Sequence, residues 1–203
     1  MDHIIGIIGA GHIGRGLAIH LVKTTFPVLI ANSREPESLN ELVASIGGSL
    51  KATGLQEIIA QADILFIAIP WSQLPELAGE LKKYSGKIIV DATNNIVSFN
   101  PFVLADTAGK TTGEYVAALF PAQRVVKAFN TLAAAILTQP GSGDAGRTVI
   151  FISGDDSDAK REVASLIEVM SFEPIDIGTL KEGGKLQDAG GALSGIELIR
   201  IKN

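Results

Sequence analysis

Apolar residues in this chain come in short, nearly unbroken runs separated by stretches of helical period. Residues 4–8, 27–31, 63–69 and 87–90 show little polar alternation, as expected of strands buried on both faces. Between them, residues 13–23, 37–46, 55–60 and 71–84 read as helices, with a short strand at 49–52. Pro36 stands at the start of the second helix and Gly47-Gly48 at its end, and Pro70 stops the strand before the fourth. Residues 94–110, holding Pro101 and Gly109, read as one long irregular loop of the kind used as lids. A helix at 112–119, a strand at 124–129, a short helical stretch at 131–137 and a Pro/Gly/Ser-rich connection at 139–146 follow. The pattern ends with a strand at 148–153, a helix with Ala159, Val163, Leu166, Ile167 and Met170 on one face, and a strand at 172–177. This alternation predicts an α/β fold, a doubly wound and mostly parallel sheet with a short C-terminal extension.

The first strand runs directly into Gly9-Ala10-Gly11-His12-Ile13-Gly14 and then a helix. In that context GxGxxG has a mechanical meaning. Gly9 permits the sharp turn, Gly11 lets a pyrophosphate approach the backbone, and Gly14 lets the helix pack on the strand. The helix N-terminus offers free N–H groups and partial positive charge to the phosphates. Residues 1–146 are thereby predicted to form a Rossmann-type dinucleotide-binding domain, and residues 147–203 a small extension packed on the same sheet.

The second strand ends in Asn32-Ser33-Arg34, with no carboxylate before Glu35. An acidic residue here would bind the 2′-hydroxyl of NAD. A guanidinium instead offers a planar fork to a 2′-phosphate, so the expected cofactor is NADP(H). Arg15, just past the third glycine, either reaches a phosphate or lies on the helix surface.

Bulk properties narrow the partners. The chain has 203 residues, 46 % hydrophobic and 19 % charged, with formal net charge −5, enough apolar content for a sizeable core. No basic face stands out, so nucleic acid is not an expected partner. The absence of cysteine removes disulfides and thiol chemistry, and three histidines, all before residue 21, form no metal motif. No apolar run approaches the ~20 residues of a membrane span. With the first strand starting within a few residues of Met1, a cytoplasmic protein without a signal peptide is expected.

Ligands in such sheets lie at the carboxyl ends of the strands. Those ends carry Ile69-Pro70-Trp71, Thr93-Asn94-Asn95 and Asn130-Thr131. Pro70 and Trp71 suit an apolar wall beside a nicotinamide, although Trp71 suits packing on the next helix equally. Asn94, Asn95, Asn130 and Thr131 offer amide and hydroxyl groups for a carboxamide or carbonyl, and Thr93 joins Asn94 and Asn130 among the expected cofactor contacts. Asp91 reads as a turn cap or a general base, and Lys127 shows no evident partner. Asp155, Asp156 and Asp158 precede a helix and read as capping charges rather than a metal site. No catalytic acid–base residue and no metal ligand is assigned, which suits hydride transfer between two cofactor rings.

The glycine motif, Asn32-Ser33-Arg34, Ala68-Ile69-Pro70-Trp71, and the segment from Ser153-Gly154-Asp155-Asp156 to Asp176-Ile177-Gly178 together resemble the F420-dependent NADP reductase family over about residues 4–180. The resemblance implies a homodimer that binds NADP and exchanges hydride with the deazaflavin F420. By it, Ser33 and Arg34 match 2′-phosphate positions, and Ile69, Pro70 and Trp71 the wall beside the dinucleotide. Two departures border the second substrate. Phe129-Asn130-Thr131-Leu132 replaces the family's His-Thr-Ile-Pro-like turn, and the glycine-rich C-terminal part is short. A flavin therefore stands beside F420 as the small-molecule hydride partner, and a non-catalytic NADP(H) sensor as the alternative role. A dehydrogenase of the β-hydroxyacid or pyrroline-carboxylate reductase type would need a longer helical C-terminal domain than the ~25 residues after Ile177 supply. The apolar tail around Leu193 to Ile199 is either a dimer contact or docked on its own domain.

Overall fold

The computed structural model describes residues 3–201. Strands β1 (Ile5–Ile8), β2 (Val28–Ala31), β3 (Leu50–Ala52), β4 (Ile64–Ile67), β5 (Ile88–Asp91) and β8 (Arg124–Ala128) run parallel in the order β3-β2-β1-β4-β5-β8. Beyond β8 lie β9 (Gly146–Gly154) and β10 (Glu173–Asp176), with β11 (Ile199–Ile201) pairing on the first residues of β9. β9 runs antiparallel to β8. An apolar run reads alike in either direction, so the hydrophobic pattern predicts the strand and not its sense.

The unbroken apolar character of the central strands has a direct cause: alternate residues feed two different cores. Ile5, Ile7, Ile64, Phe66, Ile88 and Val90 face helices α1 (His12–Leu21), α2 (Asn40–Ile46) and α6 (Ser157–Val169). Ile8, Leu65, Ile67 and Ile89 face α3 (Leu55–Gln61), α4 (Leu74–Leu81) and α5 (Thr112–Leu119). Each strand side chain is removed from water on its own side of the sheet, at roughly 25 cal/mol per Å² of apolar surface. Gly6 is where α3 comes closest, since a Cβ there would lie 2.7 Å from Leu65 and 2.9 Å from both Ala62 and Ile58.

Three stretches depart from the expected pattern. Residues 94–110 are not one irregular loop: Ile96–Phe99 (β6) and Phe102–Leu104 (β7) pair as an antiparallel hairpin. The β-branched and aromatic residues on either side of Asn100-Pro101 account for it. Ile96 and Ser98 are half-buried, whereas Val97 is 65 %, Phe99 78 % and Phe102 57 % exposed. Residues 131–137 form no continuous helix, only a 3-10 turn at Ile136–Thr138. The tail holds a helix, α7 (Glu182–Gln187), whose Gly183 and Gly184 are unfavourable helix formers. Packing explains them: a Cβ on Gly183 would meet Ser153 at 2.6 Å and one on Gly184 would meet Thr111 at 2.8 Å. Beyond α7, Gly195 N–H donates to Thr131 O at 2.8 Å and β11 pairs with β9, so the tail docks on its own domain. Ile196, Leu198, Ile199 and Ile201 still expose 42–68 % of their surface.

The acidic start of α6 is a helix cap. Asp156 accepts from Ala159 N–H at 2.8 Å, Asp155 from Leu180 N–H at 3.0 Å, and Asp158 pairs with Arg161 one turn on. Among the described residues no helix is long and apolar enough to cross a membrane.

Candidate functional site

The carboxyl ends of the parallel strands bring most of the sequence-predicted residues to one rim. Gly9 leaves β1 with φ +109°, a left-handed conformation that a side chain disfavours, and its N–H donates to Ala31 O at 2.8 Å. A Cβ on Gly9 would lie 2.2 Å from Ala68 O, and one on Gly14 would lie 1.9 Å from Gly9 O. Gly11 differs, because a Cβ there meets nothing within 4 Å. Gly9 and Gly14 are thus demanded by the fold, whereas nothing within the chain demands Gly11. It caps α1 without a side-chain hydrogen bond, and the first turn carries no acid. The N–H groups of His12 and Ile13 lead that helix, with the open face of Gly11 beside them. Arg15 stays at the loop, donating through Nε to Ala10 O at 3.0 Å.

At the end of β2, Asn32 Oδ1 accepts from Arg34 N–H at 2.8 Å and its amide donates to Ser38 Oγ at 3.1 Å. This Asx turn sets the direction of Ser33 and Arg34. Both are exposed, and the Arg34 guanidinium forms no hydrogen bond or ion pair among the described residues. On the other flank, Ile69 is half-buried and Pro70 exposed at the end of β4. Trp71 packs its ring on Tyr115 of α5, centroids 5.1 Å apart, and so lies against a neighbouring helix.

The ends of β5 and β8 are joined by groups that local sequence does not pair. Asp91 and Lys127 are register partners on adjacent strands, and both side chains are fully buried. Lys127 Nζ donates to Asp91 Oδ2 at 2.9 Å and to Thr93 O at 3.0 Å. Asp91 Oδ1 accepts from Thr93 N–H at 2.9 Å and from Thr93 Oγ1 at 2.7 Å. Asp91 is thus the cap of the turn after β5, and also the partner that Lys127 lacks in the sequence reading.

Above this pair, Asn94 donates to Asn130 O at 2.9 Å, and Asn130 returns a bond to Asn94 Oδ1 at 3.2 Å. Asn130 also donates to Gln187 O at 2.8 Å. Gln187, which the sequence reading overlooked, is fully buried: it donates to Phe151 O at 3.0 Å and accepts from Ser153 Oγ at 2.5 Å. Asn130 is therefore largely spent on framework bonds, while Asn94 remains half-buried at the rim. Asn95 turns away to Ala105 O at 2.8 Å. The one signal that pointed here was a lysine inside the apolar run Val125-Val126-Lys127-Ala128-Phe129.

Comparison with known proteins agrees with this geometry. Residues 4–95 match the family model described as NADP oxidoreductase, coenzyme F420-dependent. The chain is 34 % identical over 186 residues to the rat metalloreductase STEAP3, covering 90 % of this chain and 35 % of that protein. It thus spans about a third of the length of the curated relatives it matches. A hypothetical protein from Sinorhizobium meliloti superposes with TM-score 0.91 at 39 % identity, covering 98 % of this chain and 96 % of the other. A candidate F420-dependent NADP reductase from Arthrobacter sp. FB24 superposes with TM-score 0.74 at 26 % identity, covering 90 % and 87 %. With its glycine loop and Rossmann-like sheet, the chain belongs to the family of F420-dependent NADP oxidoreductases.

Proposed function

We propose that this chain is an NADP(H)-dependent reductase that exchanges hydride with a flat heteroaromatic ring, F420 or a flavin. The observation that carries the reading is Arg34, exposed, unpartnered and aimed by an Asx turn at the end of β2 where a carboxylate would select NAD. The chain's own groups fit the dinucleotide. Gly11 leaves room for the pyrophosphate, the uncapped N-terminus of α1 supplies N–H donors, and Arg34 with Ser33 suits a 2′-phosphate. When bound, the nicotinamide supplies or accepts the hydride.

The protein's part is to bind, orient and exclude water. Ile69 and Pro70 give an apolar edge, and the Thr93–Asn94 turn gives a polar one. At the ends of β5 and β8, the acid–base groups Asp91 and Lys127 are spent on each other and fully buried. A carbonyl substrate would need a proton donor at the rim, whereas a ring acceptor does not. The homodimer belongs to the same reading, supported by the exposed apolar residues of the β6–β7 hairpin and the tail.

The test is stopped-flow oxidation of NADPH against F420, FMN, FAD and ferric citrate, the last included because STEAP3 and STEAP2 are metalloreductases. Rapid oxidation by one of the rings is the expected result. Oxidation by ferric citrate alone would transfer the relatives' activity to this chain. Tight NADPH binding without turnover would favour the sensor.

A further inference from the structure

The buried Asp91–Lys127 pair has no place in that account, and its position is costly. An ammonium and a carboxylate taken fully out of water gain little net stability over an apolar pair of similar volume. The bonds show where the pair acts. Lys127 Nζ has two hydrogen-bond acceptors, Asp91 Oδ2 and the Thr93 carbonyl. Asp91 Oδ1 takes both the N–H and the hydroxyl of Thr93. All three polar groups of Thr93 are thus held by the pair, and the next side chain, Asn94, is held by Asn130. Little remains free to move in the turn that leaves β5.

The direction of the rim says what this turn meets. The glycine loop after β1 marks the pyrophosphate, and Arg34 after β2 marks the adenosine side. The ends of β4, β5 and β8 lie on the opposite side of β1, where the nicotinamide half would extend. We infer that Asp91 and Lys127 are positioning residues: by fixing Thr93 they hold the turn in the one arrangement that presents the half-buried Asn94 to the nicotinamide carboxamide. This rests on the dinucleotide reading above. Neither residue touches the cofactor, since both side chains are fully buried.

The experiment compares affinities for NADP+ and for 2′-phospho-ADP-ribose, which lacks the nicotinamide, in the wild type and two variants. D91N/K127M removes both charges yet leaves an amide oxygen for Thr93. T93V keeps both charges and deletes one hydrogen bond, which guards against a double variant that does not fold. The expected result is unchanged affinity for 2′-phospho-ADP-ribose, with NADP+ binding weakened about tenfold in D91N/K127M and about threefold in T93V. Emission of bound NADPH should fall in the same order. A folded variant that keeps the wild-type ratio of the two affinities overturns the inference, and so does a wild type that binds both compounds equally. A wild type that binds neither overturns the dinucleotide reading instead.

Discussion

A side chain on Gly14 would place its Cβ 1.9 Å from the carbonyl oxygen of Gly9, whereas one on Gly11 would meet nothing within 4 Å. The two glycines of one motif therefore answer to different demands, and substitution should separate them. Gly14→Ala forces α1 away from β1 and is expected to cost about 2–4 kcal/mol of stability. Gly11→Ala should cost no more than about 1 kcal/mol, as the loss of a good N-cap, while weakening NADPH binding at least ~10-fold. Thermal melts with and without nucleotide distinguish the two effects.

Arg34 should govern the choice between NADPH and NADH. A charge-assisted bond to phosphate contributes about 1.5–3 kcal/mol, so Arg34→Ala is expected to raise the NADPH dissociation constant about 10- to 100-fold. NADH affinity and melting temperature should stay put, because the side chain is exposed and makes no contact to lose. Titration with both nucleotides checks this, and equal losses for both would remove Arg34 from the phosphate site.

His20 builds a pH dependence into the fold. It lies on α1, fully enclosed, with Nε2 3.0 Å from Leu137 O and its ring edge-on to Phe172 at 4.7 Å. Burial holds its pKa below the usual 6.5, and Lys23 lowers it further against the backbone carbonyls of Leu137 and Gln139. The unfolded chain thus takes up this proton at higher pH than the folded one. Stability from His20 is complete above 6.5 and drains away as pH falls below it, with a slope of at most about 1.4 kcal/mol per pH unit. Glu114, held below its usual 4.5 by the Thr111 N–H, loses its contribution only at lower pH still. Melting temperature should fall between pH 7 and 5, and His20→Gln should flatten that slope.

The parts of this fold legible in the sequence are those whose signal is local. Ile64 to Ile67 are apolar because both faces are covered, and Gly9 to Gly14 carry their geometry in six consecutive residues. What escaped the reading depends on register or on distant neighbours. Lys127 finds Asp91 only once β5 and β8 are aligned, across 36 residues. Gln187 finds Ser153 and Phe151 only because α7 folds back over β9. The glycines of α7 argued against a helix, yet they are small because Ser153 and Thr111 lie against them. Trp71 was open between two readings, and Tyr115, from another helix, is what it packs on.

The β6–β7 hairpin exposes Phe99 and Phe102, whose rings lie 6.5 Å apart across the pair, and adds little to either core. If the chain pairs with a second copy through this arm, light scattering should show a dimer for the wild type and a monomer for F99S/F102S. Substitutions this exposed should change stability by less than about 0.5 kcal/mol. A variant that stays dimeric would move the interface to the tail.

Gln187 gives the sharpest test of how the tail is held. Its side chain is fully buried, and its amide ties α7 to Ser153 and Phe151 of β9. Gln187→Leu keeps much of the volume but leaves the enclosed Ser153 hydroxyl without its acceptor, at a cost of about 1–3 kcal/mol. In a domain of this size that is a fall of roughly 2–12 °C in Tm. Adding Ser153→Ala removes the stranded hydroxyl, so the double variant should recover part of the loss rather than add to it. Trypsin supplies a second readout. Lys181, which precedes α7, and Lys185 on it are exposed, and cleavage there should accelerate in Gln187→Leu if the helix loosens from the sheet. Simple additivity of the two substitutions, with no change in cleavage, would mean that Asp188, which accepts from Thr112, anchors the tail instead.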